Sequence, residues 1–242
     1  MTLAAQFKKH ARREFDSWAD SYDRSLLNPF LFRPAAEAFL QEIAIWRNGA
    51  TTANSSLTPN GQQRRFRLLD IGCGTGTLAC LLLQSGWPVR VVGLDYSANM
   101  CFRATAKVQA VLASASNAPA GEPPASPASF VTGDSEHLPF ADGSFDVITC
   151  SNSFHHYPHQ QAVVCEMRRV LAPGGRLMIL DGFRDNIVGW IAFDVIIATV
   201  EKHIHHASWT QMHGYFQQAG FANIRHRKFS FWMPLLLTTG DA

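Results

Sequence analysis

Charge is scarce in this 242-residue chain: Asp, Glu, Lys and Arg make up 17%, against a usual share near 25%. The two signs nearly cancel, with 21 Lys+Arg against 19 Asp+Glu and a net of +2. That removes the electrostatic footprint of a nucleic-acid binder or a polybasic membrane-surface protein. Long apolar runs are missing too. The longest, Ile187 to Val200, is 14 residues and contains Asp194, where a membrane span needs about 20. The stretch Met1 to Phe15 carries Lys8, Lys9, Arg12 and Arg13 without an apolar core, so no signal peptide and a cytoplasmic location are expected. Cysteine is sparse and odd in number: Cys73, Cys80, Cys101, Cys150 and Cys165 form no C-x-x-C pair. This excludes a disulfide scaffold and a cysteine-built zinc cluster and fits reduced thiols. No internal repeat points to a solenoid.

What is present is apolar. Hydrophobic residues make up 47%, enough for a full core and too many for a disordered chain. At about 150 residues per domain the length allows one to two domains, and a single α/β unit is expected. Two stretches, Gly49–Gln63 and Ser114–Ser129, are Thr/Ser/Asn-rich and Ala/Pro/Ser-rich and read as loops. Between and after them, short Leu-rich or β-branched runs occupy Phe66–Ile71, Val89–Asp95, Phe130–Gly133, Phe145–Cys150 and Arg176–Asp181. They alternate with stretches of helical spacing at Thr75–Ser85, Ser97–Val111, His159–Leu171 and Ser208–Ala219. Such alternation indicates right-handed βαβ crossovers and a mostly parallel, doubly wound sheet. Ala222–Lys228 and Phe231–Leu237 are close enough to close the sheet as an antiparallel hairpin at one edge. Ahead of the first strand, Phe7, Ala11, Phe15 and Trp18 make one stripe of an amphipathic helix, and Ala35–Trp46 is a second helical stretch. Neither belongs to a βα unit, so both cover an edge, a face or the mouth of the sheet.

The most informative segment is Leu68-Leu69-Asp70-Ile71-Gly72-Cys73-Gly74-Thr75-Gly76-Thr77, a strand running into a glycine turn that opens a helix. Glycine lets the chain turn sharply and a ligand approach the backbone closely, and the helix start offers free N–H groups. The spacing is G-x-G-x-G, whereas dinucleotide binders use G-x-G-x-x-G. Asp70, just before the turn, suits a cationic group and repels a pyrophosphate. Asp95 ends the second strand 19 residues beyond Gly76, near the offset at which an acid accepts from ribose hydroxyls. Its plainer role is a turn residue, with Ser97 an ordinary N-cap. Tyr96 and Met100 are then candidates for apolar contact with a purine ring. Asp134, at the third strand end, suits an exocyclic amine; equally, it starts a turn ahead of Pro139. Together, Asp70, Asp95 and Asp134 place three carboxylates along one rim of the sheet.

These motifs resemble the class I S-adenosylmethionine-dependent methyltransferases, and among them the ubiquinone/menaquinone-biosynthesis methyltransferases. The resemblance is carried by Leu68–Gly76 (LLDIGCGTG), Gly93–Met100 (GLDYSANM), Gly133–Phe140 (GDSEHLPF), Phe145–Pro158 (FDVITCSNSFHHYP) and Glu166–Leu177 (EMRRVLAPGGRL). Phe15–Asp23 (FDSWADSYD) looks like the family's N-terminal segment, and Phe216–Phe221 (FQQAGF) completes the set. The resemblance implies a Rossmann-like seven-stranded sheet with an antiparallel last strand, and S-adenosyl-L-methionine as cofactor. It implies that Asp70, Gly72, Cys73 and Gly74 surround the methionine part, that Asp95 holds the ribose, and that Asp134 and the Ser135 backbone read adenine against Tyr96 and Met100. Ser151 then lies near the methionine part, and Tyr22 closes over it from N-terminal lid helices within residues 1–47. The remaining divisions expected are a cofactor-binding core over 64–182, an insertion helix over 183–206, and a C-terminal helix and hairpin over 207–242. The long loop Ser114–Ser129 and the apolar insertion Ile187–His206 depart from the family pattern.

Methyl transfer from a sulfonium is an in-line displacement in which the cofactor carries the reactivity and the protein binds, aligns and excludes water. A base is needed only if the acceptor loses a proton. Asn152-Ser153-Phe154-His155-His156-Tyr157 should line the acceptor side, where His155 or His156 is a candidate general base; the plainer reading is that the pair packs beside Tyr157. Glu201, His203, His205 and His206 superficially resemble a metal cluster, but read better as a polar helix face, and no metal is expected. The run Ile187–Val200, with Trp190, Phe193, Ile196 and Ile197, reads as a helix over the acceptor pocket, favouring a small apolar or aromatic acceptor; peripheral membrane docking or a dimer seam are its alternatives. A non-catalytic S-adenosylmethionine-binding module and a nicotinamide-dependent oxidoreductase are the competing functions, the second disfavoured by the glycine spacing and Asp70.

Overall fold

A computed structural model describes Lys8, Arg12, Arg13, residues 15–17, Ala19, residues 22–24, 32–50, 64–115, 127–182, Asp185, and residues 205–229 and 234–242. Seven strands form one sheet: β1 (Phe66–Ile71), β2 (Val89–Asp95), β3 (Ala128–Thr132), β4 (Phe145–Ser151), β5 (Leu171–Gly182), β6 (Ala222–Phe229) and β7 (Leu235–Asp241). Their spatial order is β3-β2-β1-β4-β5-β7-β6. The pairs from β3 through β5 are all parallel, and β7 runs antiparallel to both of its neighbours. The order reverses between β1 and β4, which is where an open α/β sheet leaves a crevice beyond the strand ends.

Parallel strands covered on both faces read as unbroken apolar runs, and β1 and β4 are buried along nearly their whole length. Alternate residues feed two cores. Leu68, Val91 and Val147 face α1 (Arg33–Ala50), α2 (Thr77–Gln84) and α3 (Ala98–Ala115) through Phe39, Ile43, Leu82 and Val108. Leu69, Ile71 and Ile148 face α4 (Gln160–Val170) and α5 (Trp209–Gln218) through Val163, Met167, Met212 and Phe216. Ser208 caps α5 in a reciprocal box with Gln211, the arrangement that satisfies two orphan N–H groups at once.

The sequence expectations hold for the sheet and its helices, with differences at several boundaries, such as β5 starting at Leu171 rather than Arg176, and in the closing hairpin. The first helix starts earlier and ends later than Ala35–Trp46, so Gly49 is helical rather than part of a loop. Likewise Ser114 belongs to α3 and Ala128 to β3. The last strand is Leu235–Asp241 rather than 231–237, because Pro234 lacks the N–H that a ladder needs while Gly240 can lie against the Phe216 ring where a Cβ would come within 2.7 Å. The hairpin's last strand is inserted inside the sheet, leaving β6 at the edge. Finally, residues 205–208 are not helical, so His205 and His206 do not stand on a helix face. Phe7, Ala11, Trp18, the run 187–200, Glu201 and His203 lie outside the described residues, as do most of the two expected loops. Among the described residues no helix is long and apolar enough to cross a membrane.

Phe216 is fully buried between Phe221 and the Gly240 backbone. Phe216→Ala should cost about 3–5 kcal/mol, read as a lowered urea midpoint.

Candidate active site

The turn after β1 is held by its neighbour: the N–H groups of Gly72 and Cys73 both donate to the Leu94 carbonyl at the end of β2 (2.8 and 3.1 Å). Gly72 and Gly74 have φ of +69° and +50°, in the left-handed region that favours glycine. A Cβ on Gly72 would also lie 2.2 Å from Ser153 Oγ, so the turn closes against the segment after β4.

Beyond this turn lies an open cavity of about 760 Å³, mouth included. It is lined by Tyr22, Gly72, Gly74, Asp95, Tyr96, Met100, Asp134, Ser135, Ser151 and His156. A smaller adjoining space under the turn is lined by Asp70 and Cys73, again with Tyr22, Gly72, Gly74 and Ser151. Every cofactor-side residue singled out in the sequence therefore faces one of two contiguous spaces.

The carboxylates are held differently. Asp70 is buried and accepts from the Thr149 hydroxyl at 2.8 Å. Burial, with the Asp95 charge added, pushes its pKa up to about 7 despite that bond. Asp95 accepts from the Gly74 N–H and the Ser97 N–H, each at 2.9 Å, one on each oxygen, and burial raises its pKa. Asp95 thus organises the turn and still borders the cavity. Ser97 is also the expected N-cap, accepting from the Met100 N–H. Asp134 accepts from the Glu136 N–H and from Lys8 Nζ at 2.7 Å. The loop behind it is fixed by Arg169, whose guanidinium donates to the Leu138 and Phe140 carbonyls and to Glu166 and Asp142.

On the opposite wall stand Phe15, Asn152, Ser153, His156, Tyr157 and Pro158. Asn152 holds φ +49°, strain of the kind that clusters at functional sites. Ser153 Oγ lies 3.1 Å from Tyr157 Oη and 3.2 Å from Cys150 Sγ. Burial drives the Tyr157 and Cys150 pKa values up, so both groups stay neutral. The two histidines part company. His156 faces the cavity, its ring edge-on to Phe15 at 4.9 Å, and burial lowers its pKa. His155 is turned away and buried, with Nδ1 2.6 Å from Asp181 Oδ1.

Lys8 and the partnership of Asp181 with His155 were missed in the sequence. Lys8 had a faint signal, standing seven residues before Phe15 on the same helical stripe. Three further contacts tie the N-terminal segment across the strand ends: Asp16 accepts from Ser97 Oγ, and Asp23 from Thr75 Oγ1 and from Lys107.

Known proteins share this fold and stretches of this sequence. A methyltransferase-domain family matches residues 69–179, from β1 into β5. A demethylmenaquinone methyltransferase of Thermotoga maritima is 32% identical over 179 residues, 74% of this chain and 64% of that protein. Another, from Lactiplantibacillus plantarum, is 28% identical over 252 residues, 95% of this chain and 94% of that one. Magnesium protoporphyrin IX methyltransferase of Synechocystis PCC 6803, solved with bound SAH, superposes with a TM-score of 0.67 at 20% identity, covering 97% of this chain and 99% of that one. A Haloferax volcanii putative methyltransferase, solved with the Trm112 activator, gives 0.67 at 20% identity, covering 95% and 97%. At such identities the solved structures show the fold. Glycine turn, carboxylate rim, strand order and relatives converge: the chain is a class I S-adenosyl-L-methionine-dependent methyltransferase resembling the ubiquinone/menaquinone-biosynthesis methyltransferases.

Proposed function

We propose that this single methyltransferase unit transfers a methyl group from S-adenosyl-L-methionine to a small apolar or aromatic acceptor, with a quinone-type ring the best fit. One observation carries the reading: carboxylates from three successive strand ends border a continuous space whose far wall is aromatic and neutral. In this reading the glycine turn and Asp70 take the methionine moiety, Asp95 the ribose hydroxyls, and Asp134 with the Ser135 N–H the adenine edge. Tyr96 and Met100 flank the ring, Ser151 borders the sulfonium, and Tyr22, stacked on Phe32 at 4.8 Å, covers the methionine end. The cofactor supplies the electrophilic methyl; this chain's residues hold it, align the acceptor and keep water out.

The acceptor reading rests on Phe15, Pro158 and the un-ionised Tyr157 facing the same space, and on the names of the two demethylmenaquinone methyltransferases. We place the protein in a reducing compartment such as the cytoplasm, since Cys73, Cys80, Cys101 and Cys150 are buried thiols. A proton acceptor, required only for an acceptor hydroxyl or activated carbon, is assigned to His156 rather than His155, which does not reach the cavity.

An acceptor screen with methyl-labelled cofactor tests the reading directly. Label is expected in a phenol or reduced quinone, and label confined to polar amines or nucleic acid would overturn it. Asp95→Asn should weaken S-adenosylhomocysteine binding about 10- to 100-fold, the worth of one or two hydrogen bonds to a charged group, by isothermal titration.

Asp70 adds a pH dependence. A cationic ligand needs the carboxylate, whereas in the free protein the acid takes its proton below about pH 7. Affinity should therefore fall as pH drops from 7 toward 5.5, by up to about tenfold per unit, and be flat above 7. Asp70→Asn should weaken binding and flatten much of that slope. With an acceptor that loses a proton, His156→Gln should lower turnover about 10²- to 10⁴-fold and leave cofactor affinity unchanged.

A further inference from the structure

Outside the cofactor cavity, three elements remote in sequence bring two imidazoles and a carboxylate to one buried point. His155 comes from the 3₁₀ turn after β4 (Phe154–His156), Asp181 from the end of β5, and His206 from the segment leading into α5. All three residues are buried. His155 Nδ1 is 2.6 Å and His206 Nδ1 3.6 Å from Asp181 Oδ1, and one donor atom from each of the three lies within 4.8 Å of the others.

We propose that His155, Asp181 and His206 form a site for one divalent cation of the zinc class. Two imidazoles and one carboxylate are a ligand set that suits zinc and its borderline neighbours. A tetrahedral ion with bonds of about 2.0–2.1 Å sets its donors roughly 3.3 Å apart. The His155–Asp181 and His206–Asp181 separations bracket that value, and the three donor atoms already lie within 4.8 Å of one another, so small shifts of the side chains seat the ion.

The surroundings are those of a built site. Asp181 is fixed by backbone: Oδ2 accepts from the His155 N–H at 2.8 Å and Oδ1 from the Gly182 N–H at 2.7 Å, the supporting bonds that orient ligating carboxylates. The His206 segment is fixed as well. The His205 N–H donates to the His155 carbonyl at 2.9 Å, and Gln160 Nε2 bridges the Phe154 and His205 carbonyls. A second cavity of about 620 Å³, mouth included, reaches His206 past Gln160 and Tyr215, giving an entry path and room for a water as fourth ligand. On binding, the ion replaces the proton shared by His155 Nδ1 and Asp181 Oδ1, which leaves to solvent.

The site's role is bracing. Neither His155 nor Asp181 lines the cofactor cavity, so the ion does not touch the reacting atoms. Instead it ties β4, β5 and the approach to α5 together directly behind His156, whose ring centroid is 4.1 Å from that of His155.

Titration of zinc chloride into the chelator-stripped full chain tests the proposal without reference to activity. One zinc per chain with micromolar or tighter Kd is expected, weakened by more than about 10- to 100-fold, the worth of an outer-shell partner, in both His206→Gln and Asp181→Asn. It should be unchanged in His213→Gln, which removes an exposed histidine paired with His226. No binding, or binding that survives both ligand substitutions, overturns the site. Because Asp181→Asn replaces one of the two oxygens that accept backbone N–H groups and threatens folding, the unmodified chain supplies a second readout. Cobalt(II) should give visible absorption bands of a low-coordinate site that one equivalent of zinc abolishes; cobalt that stays six-coordinate and aqueous overturns the proposal.

Discussion

A carboxylate removed from water costs several kcal/mol unless charge or hydrogen bonds replace its solvation, and this sheet buries two at the ends of adjacent strands. Asp70 has one hydroxyl donor and keeps its proton up to about pH 7. Asp95 has two backbone donors, one of them from the glycine turn itself. The turn and the strand ends are arranged around that unmet demand for positive charge. In the proposed reading, a ligand carrying an ammonium, a sulfonium and a diol meets it, which a pyrophosphate does not. The first glycine stands where a side chain would collide with Ser153, so the backbone of the turn lies close against the segment after β4.

Much of this is written locally in the chain. Strand ends, glycine turn and acidic positions occur in short windows with fixed offsets, so the sequence alone puts Asp70, Asp95 and Asp134 on one rim. Alternate burial of Leu68 and Leu69 follows from the period of two. What stayed hidden depends on distance along the chain. Lys8 meets Asp134 across 126 positions and His206 meets Asp181 across 25, distances over which local windows carry little information. The final strand runs on to Asp241 because Thr238, Thr239 and Gly240 are buried along with Leu235–Leu237, although polar and glycine residues look less strand-like in sequence.

The histidine pair shows how one dipeptide can serve two surfaces. A 3₁₀ turn places consecutive side chains about 120° apart, so His156 is delivered to the cavity while His155 is delivered to Asp181 in the interior. A sequence reader sees two equivalent candidates, and only the turn's direction tells them apart.

β7, last of the strands along the sequence, lies between β5 and β6. During synthesis, β1 to β5 can assemble with their crossovers as they leave the ribosome, since domains form as their segments become available. The strand β6 has no neighbour in the sheet until Leu235–Asp241 arrives to pair with it on one side and with β5 on the other. Until then the outer flank of β5, with its row of unpaired backbone groups, is an open edge of the kind that recruits foreign strands. A stalled or shortened product would lose two strands at one stroke and leave its stickiest border uncovered.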